Sequence, residues 1–408
     1  MKILLVTSRY PWPPRRGDQV RALQTLDFLA DEHELTLLTP EPGPGQPPPP
    51  RAARSRVETY RLRRGLGTLA GLGRAVARGL PFQSGLFDQR DLGRRLRELA
   101  PGADLAILQL VRLATHLDDL GPLPLVVDLI DSLSLSFSRR AAVDRPVLRP
   151  ALRLEAHRLA RWERRLVERA AAVTLVSERD RRALAEGLPP ELAARLSVVR
   201  LALGDHPPDD GAPGPGAPLR GAGETGPVLA MTGNLGYFVN ADAVTWWLAE
   251  VWPALARARP DVRVVVAGDR PSAALRRTVA EAGAGARLLE SPRDLRAVIA
   301  QATLALAPLR CGAGVPVKVL EAWATGVPVV ATCWAAGGTT GLPGEDFRVV
   351  GERPDEWVDA ILALLDSPAE RRRLADSARR RLAADYSQSV VRRQWLDLVR
   401  GLSLGPTG

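Results

Sequence analysis

Short apolar runs alternate with stretches of helical periodicity along nearly the whole chain. Residues 3–7, 34–39 and 57–62 read as strands, with an apolar-periodic helix at 21–30 and a proline-rich surface loop at 40–50. Two Arg-rich helical stretches follow, near 66–79 and 86–99. Then come strands at 105–110 and 125–128, a loop running through Pro146, a long charged helix at 147–170, a strand at 172–177 and a helix at 178–185. Residues 204–227 break the rhythm: thirteen of the twenty-four are Gly or Pro, which no packed element tolerates, so this segment reads as a linker. Beyond it the alternation restarts, with strands at 228–232, 262–267, 286–289, 303–309 and 327–332. Helices are expected at 241–257, 272–282, 294–301 and 315–325, and the end of the chain, 354–402, is almost all helix.

Strands separated by helices imply parallel sheets covered on both faces. The pattern predicts an α/β chain of two doubly wound, Rossmann-like domains, 1–203 and 228–385, joined by the linker 204–227 and followed by a helix and tail at 386–408. Ligands in such sheets bind beyond the carboxyl ends of the strands, which makes a cleft between the domains the expected site.

Composition narrows the function classes. A hydrophobic content of 46% over 408 residues excludes overall disorder and suits two cores. No apolar run approaches the length of about eighteen residues that a membrane span needs, and the N-terminus reads as a first strand and not as a signal peptide. Two cysteines, Cys311 and Cys333, offer no disulfide framework, and four scattered histidines lack metal-ligand spacing, so no metal site is expected and the reading is cytoplasmic. The net charge is +10, and residues 51–100 hold twelve arginines against four acids. Without aromatic stacking or a recognition motif this segment does not read as a nucleic-acid site. Arg74, Arg78, Arg94, Arg95 and Arg97 instead suggest contact with an anionic membrane surface or a lipid-phosphate acceptor; a solvated basic face is the alternative.

The densest chemistry lies in residues 307–332, APLRCGAGVPVKVLEAWATGVPVVAT. An apolar strand feeds a small-residue loop, 311–314, then a helix that stops at Gly326, then a β-branched strand. Glycines let backbone approach a ligand, and a helix start offers N–H donors to an anion. Lys318 adds a full charge within the first turn. It is one of only two lysines among 56 basic residues, which suggests a position that prefers a compact ammonium to a guanidinium. An ordinary strand–helix–strand crossover accounts for the same spacing.

KVLEAWATGVPVVAT resembles the nucleotide-sugar signature of family-4 retaining glycosyltransferases of the GT-B fold. The form PLR…G…KVLEA is closest to sugar transferases of bacterial exopolysaccharide loci. The resemblance implies that Glu321 holds the donor ribose and that the loop with Gly312, Gly314 and Val315 covers the diphosphate. It also implies that Arg310 and Lys318 stabilise the leaving diphosphate. The family's second glutamate is replaced by Ala313. RYPWPPRRGDQVRALQTLDFLADEHELTLLT resembles the family's first strand, glycine loop and helix, which puts Gly17 and Arg21 near the donor phosphates, although Asp18 stands where a second glycine is usual. VVDLIDSLS matches the acceptor-side loop, with Asp131 at its aspartate and Ile130 where a histidine is common. TGNLGYFVNADAVTWWLAEVWP places Gly233, Asn234 and Asn240 in donor-side loops, and Arg270–Pro271 resembles another. DYSQSVVRRQWLDLV resembles a last helix that crosses back to the N-terminal domain, with Val390, Val391, Trp395, Leu396 and Val399 as its buried stripe.

Taken together, the resemblance implies a retaining glycosyltransferase of the GT-B fold using a UDP-, GDP- or dTDP-linked sugar as co-substrate, with no resident cofactor. Its acceptor would be a hydroxyl of a lipid-linked sugar, a polysaccharide or a small molecule. A non-catalytic nucleotide-sugar binder and a GT-B epimerase or hydrolase are the alternatives.

Overall fold

The computed structural model describes residues 1–14, 16–50, 54–62, 71, 73, 75, 77, 79–87, 89–203 and 226–403. The chain divides into two compact units, Met1–Ala202 with Ser389–Gly408, and Leu203–Gln388. Most of the linker segment and the stretch near 66–79, including Arg74 and Arg78, lie outside the described residues.

In the first unit β1 (Lys2–Val6), β2 (Glu34–Pro40), β3 (Arg56–Tyr60), β4 (Leu105–Gln109), β5 (Leu125–Ile130), β6 (Ala172–Leu175) and β7 (Leu196–Val198) form one sheet. The strand order is β3-β2-β1-β4-β5-β6-β7, and every pairing is parallel. Alternate side chains leave opposite faces of a strand. Leu4 and Val6 enter one apolar cluster with Leu108 and Val127, while Ile3 and Leu5 enter another with Ile107 and Val126. Covering on both faces is why these strands read as unbroken apolar runs.

The second cluster also takes in the last helix, Gln388–Ser403, through Val391, Trp395, Leu396 and Val399. Val390, expected in that stripe, is only half-buried. Arg392 pairs with Asp31 and Arg400 with Glu32, so ion pairs flank the apolar stripe.

The second unit contains β8 (Val228–Thr232), β9 (Arg263–Gly268), β10 (Ala286–Glu290), β11 (Leu304–Ala307), β12 (Val329–Thr332) and β13 (Arg348–Val350). Their order is β10-β9-β8-β11-β12-β13, again all parallel. Trp247, Trp252 and Trp357 are buried in its core, and Trp246 packs edge-on against Trp357. These tryptophans are core packing.

Three elements differ from the sequence reading. Residues expected as a loop before Pro146 contain a helix, Leu133–Val143, capped by the Ser132 hydroxyl accepting from the Leu135 N–H at 3.3 Å and packed on the helix Arg149–Arg169. Its SLSLSFSRR composition hides the apolar stripe, because only Leu133, Ser136 and Ala141 are buried. Strands β7 and β13 were missed because each has three residues and lies at a sheet edge, where one-sided pairing asks little of the sequence. No described helix is long and apolar enough to cross a membrane.

Candidate active site

Each sheet reverses its strand order once, between β1 and β4 in the first unit and between β8 and β11 in the second. Ligands of open parallel sheets bind at such reversals, beyond the carboxyl ends. Backbone strain points to the same edges. The described non-glycine residues with positive φ are Leu110, Ile130, Arg270 and Ser291. They lie at or just past the ends of β4, β5, β9 and β10. A left-handed conformation at a branched or bulky residue costs on the order of 1 kcal/mol or more, and such strain concentrates at functional sites.

In the second unit the loops after β8 and β11 meet. The helix Val317–Thr325 starts two residues later than its periodicity suggests, because Pro316 is the N-cap and offers no side-chain cap. Gly312 and Gly314, at φ 113° and 72°, have backbone conformations that side chains resist. The Lys318 Nζ turns inward and donates to the Asn240 Oδ1 at 2.7 Å. Asn240 in turn donates from Nδ2 to the Asn234 carbonyl at 2.9 Å. Gly233 completes this arrangement: a Cβ there would lie 2.9 Å from the Asn240 Nδ2 and 3.2 Å from the Lys318 Nζ. Burial pushes the Lys318 ammonium down to about 8, with Glu321 opposing.

Glu321 follows one turn on. Burial raises its pKa, Arg296 and Lys318 lower it, and Asp294 raises it. Its carboxylate accepts no hydrogen bond from another described residue. A half-buried acid with its acceptor capacity open, beside a cation at a helix entry, suits neutral hydroxyl donors. Val315 lies in the same loop, half-buried, and Arg270 is exposed, its carbonyl 3.1 Å from where a Cβ on Gly236 would sit.

Sequence reasoning missed Asn240 as a partner of Lys318 and Arg296 as a partner of Glu321. The only signal for either was a polar residue on a donor-side helix, which periodicity alone assigns to solvent.

Arg310, expected at the diphosphate, is held by a carboxylate. Its Nε and one terminal nitrogen donate to the two oxygens of Asp242 at 3.0 and 2.6 Å, and its guanidinium lies over Trp246. That bidentate pair meets its charge, whereas Lys318 is held by a neutral amide.

In the first unit Arg21, expected near the phosphates, is likewise held by a carboxylate. It is fully buried, its Nε donates to the Asp128 Oδ2 at 2.9 Å and another nitrogen to the Asp128 Oδ1 at 3.2 Å. It also donates to the Arg200 carbonyl and stacks on Trp395. Arg21 ties sheet, helix and C-terminal helix together and has no exposed surface for a phosphate. Gly17 is exposed at the helix start with open space around it, but its neighbour Asp18 is ion-paired with Arg9 and lies 3.9 Å from Arg112. A carboxylate stands where a phosphate was expected to approach.

Asp131 follows the strained Ile130. Burial raises its pKa to about 7, helped by Asp180, opposed by Arg112, and raised further by Glu163 and Asp18. Glu163 is itself fixed by the Ser132 hydroxyl and by the Ser134 N–H and hydroxyl. Arg112, whose pKa burial lowers to about 10, donates to Gln83 and is the cation of this cluster.

Of the arginines expected at a membrane contact, the three described ones are ion-paired. Arg94 pairs with Asp91 and Glu98, Arg95 with Glu58 and Glu98, and Arg97 with Asp119.

Residues 226–367 match the family model described as glycosyl transferases group 1. A GDP-mannose-dependent monoacylated α-(1-6)-phosphatidylinositol monomannoside mannosyltransferase of Corynebacterium glutamicum is 27% identical over 41% of this chain and 45% of its own length. An MMP α-(1→4)-mannosyltransferase of Mycolicibacterium hassiacum is 38% identical over 25% of each chain. The match therefore spans less than half the length of either curated relative. Among solved structures, sucrose-phosphate synthase from Thermosynechococcus elongatus superposes with a TM-score of 0.74 at 16% identity over 99% of both chains. Anabaena HepE, solved with UDP-glucose, gives 0.66 at 15% identity over 98% of this chain and 100% of its own. At such identity the likeness shows the fold, two Rossmann-like parallel-sheet domains of the GT-B class.

Proposed function

We propose that the protein is a glycosyltransferase that moves a sugar from a nucleotide-diphospho-sugar to a hydroxyl acceptor. The observation that carries this reading is the element Lys318–Glu321. A half-buried ammonium is held on Asn240 at an uncapped helix entry, one turn before a carboxylate that accepts no hydrogen bond from another described residue. That element lies inside the segment matching a glycosyl transferase family model. Lys318 and the loop of Gly312 and Gly314 would meet the diphosphate, and Glu321 the ribose hydroxyls.

In the transfer, the bond from the anomeric carbon to the diphosphate oxygen breaks with its electron pair going to the phosphate, where Lys318 stabilises the charge. The acceptor oxygen bonds to the same carbon and its proton passes to the leaving phosphate. Transfer from the departing side retains the anomeric configuration. Asp131, raised to about 7, would orient an acceptor hydroxyl. The mannosyltransferase relatives make GDP-mannose the first donor to test, with UDP-glucose second. An acceptor in polysaccharide, glycolipid or glycosylated-metabolite synthesis fits this chemistry.

Thermal unfolding with each nucleotide-sugar finds the donor, since a native-state ligand raises the melting temperature by mass action. Nucleoside diphosphate release that depends on an added acceptor supports transfer, and anomeric NMR of the product reads the stereochemistry. Stabilisation by a donor with no turnover across an acceptor panel would return the non-catalytic reading that Ala313 suggests.

A further inference from the structure

Six large apolar side chains are exposed among the described residues, and Val147, Leu148 and Leu154 are three of them. Val147 is 81% exposed. They lie at the entry and on the first turns of the helix Arg149–Arg169, away from its buried stripe of Leu152, Ala156, Leu159, Leu166 and Val167. That helix has three acids. Glu155 and Glu163 are buried and accept hydrogen bonds from Phe82 and Gln83 and from Ser132 and Ser134. Glu168 pairs with Arg164. The exposed side is otherwise basic: Arg153, Arg161 and Arg164 share one face, with His157 between them. Arg153 and Arg161 make no ion pair with another described residue, in contrast to the neutralised arginines at 94–97.

We propose that this face is a docking surface for a bilayer rich in anionic lipid. Exposed aliphatic side chains set beside unpaired arginines match an interface that offers apolar depth below a layer of phosphates. Val147, Leu148 and Leu154 supply the apolar contact, and Arg153 and Arg161 the charge. Arg153, His157 and Ser138 also line a groove of about 370 Å³. Lipid binding of this kind does not depend on donor chemistry, so it can be tested without any turnover.

The experiment sediments the full chain with phosphatidylcholine vesicles and with vesicles about one-third phosphatidylglycerol, at low and at high salt. Wild type should bind the anionic vesicles at low salt and release at high salt, where screening shortens the reach of charge. Arg153→Glu with Arg161→Glu, and separately Val147→Ser with Leu148→Ser and Leu154→Ser, should each lower the partition coefficient by at least about tenfold with unchanged melting. Arg372→Glu with Arg380→Glu, the same charge change on exposed arginines of the second unit, should leave it unaltered. No wild-type binding at low salt overturns the proposal. So does an equal loss in the Arg372/Arg380 control, which would mean net charge alone. Binding to polyglutamate beads but not to vesicles would assign the face to an acidic protein and also overturn it.

Discussion

Donor affinity should fall about tenfold per pH unit above about pH 8, and this dependence should vanish when Lys318 is replaced by arginine. Burial lowers the Lys318 pKa to about 8, so about nine in ten molecules carry the ammonium at pH 7 and about one in ten at pH 9. Only the charged form neutralises a diphosphate, so each unit above 8 costs about 1.4 kcal/mol of binding. The decline ends where the complex, whose phosphates raise the lysine again, starts to deprotonate. Arginine stays charged throughout, which removes the titration.

Geometry makes arginine a poor substitute in turnover. The Nζ sits 2.7 Å from the Asn240 Oδ1 and 3.2 Å from the place a Cβ on Gly233 would occupy. A planar guanidinium needs more room than that, so Lys318→Arg should lower kcat by at least about tenfold, or roughly 1.4 kcal/mol of transition-state stabilisation. Calorimetric titration of the stabilising nucleotide-sugar from slightly acid to alkaline pH measures the first effect, and steady-state kinetics the second. The same falling slope in wild type and Lys318→Arg, or a flat profile in both, would refute the assignment of Lys318 to the phosphates. Linkage gives an independent check. The unfolded chain binds the lysine proton more tightly, so between about 8 and 10.5 stability of the ligand-free protein should rise with pH from this group.

Three further outcomes are expected. Glu321→Ala should fold normally and lose about 1.5–3 kcal/mol of donor affinity by calorimetry, the worth of a charged hydrogen-bond pair; unchanged affinity removes it from the site. Asp131→Asn should be more stable than wild type at pH 8, by up to about 4 kcal/mol in urea unfolding, and yet slower in turnover. The folded aspartate binds its proton up to about pH 7 and the unfolded one only to 3.8, so stability falls as pH rises through that window and the variants should converge below it. Gly233→Ala, at φ 140° and 2.9 Å from the Asn240 Nδ2, should displace Asn240 and weaken donor binding at least about tenfold, at a cost of about 1–3 kcal/mol in stability; donor affinity equal to wild type would mean that Asn240 does not position Lys318.

The α/β class, the parallel sheets and the loop–helix element of residues 311–326 were legible in the sequence because each rests on short-range physics. Strands covered on both faces need unbroken apolar runs, glycines mark positive φ at Gly312 and Gly314, and Gly326 ends its helix at φ 70°. Contacts across the chain were not legible. Lys318 stood out by its rarity, but the oxygen that holds it belongs to Asn240, 78 positions earlier. Arg310 follows a strand as a phosphate ligand would, yet Asp242 closes on it from 68 positions away. Arg21 is the sharpest case. One turn after a glycine, it has the local setting of an anion-binding residue, and nothing nearby contradicts that. Folding brings Asp128 from 107 positions away to its Nε. A buried guanidinium must be paired to survive desolvation, so the same arginine that the local pattern points at a ligand becomes part of the core.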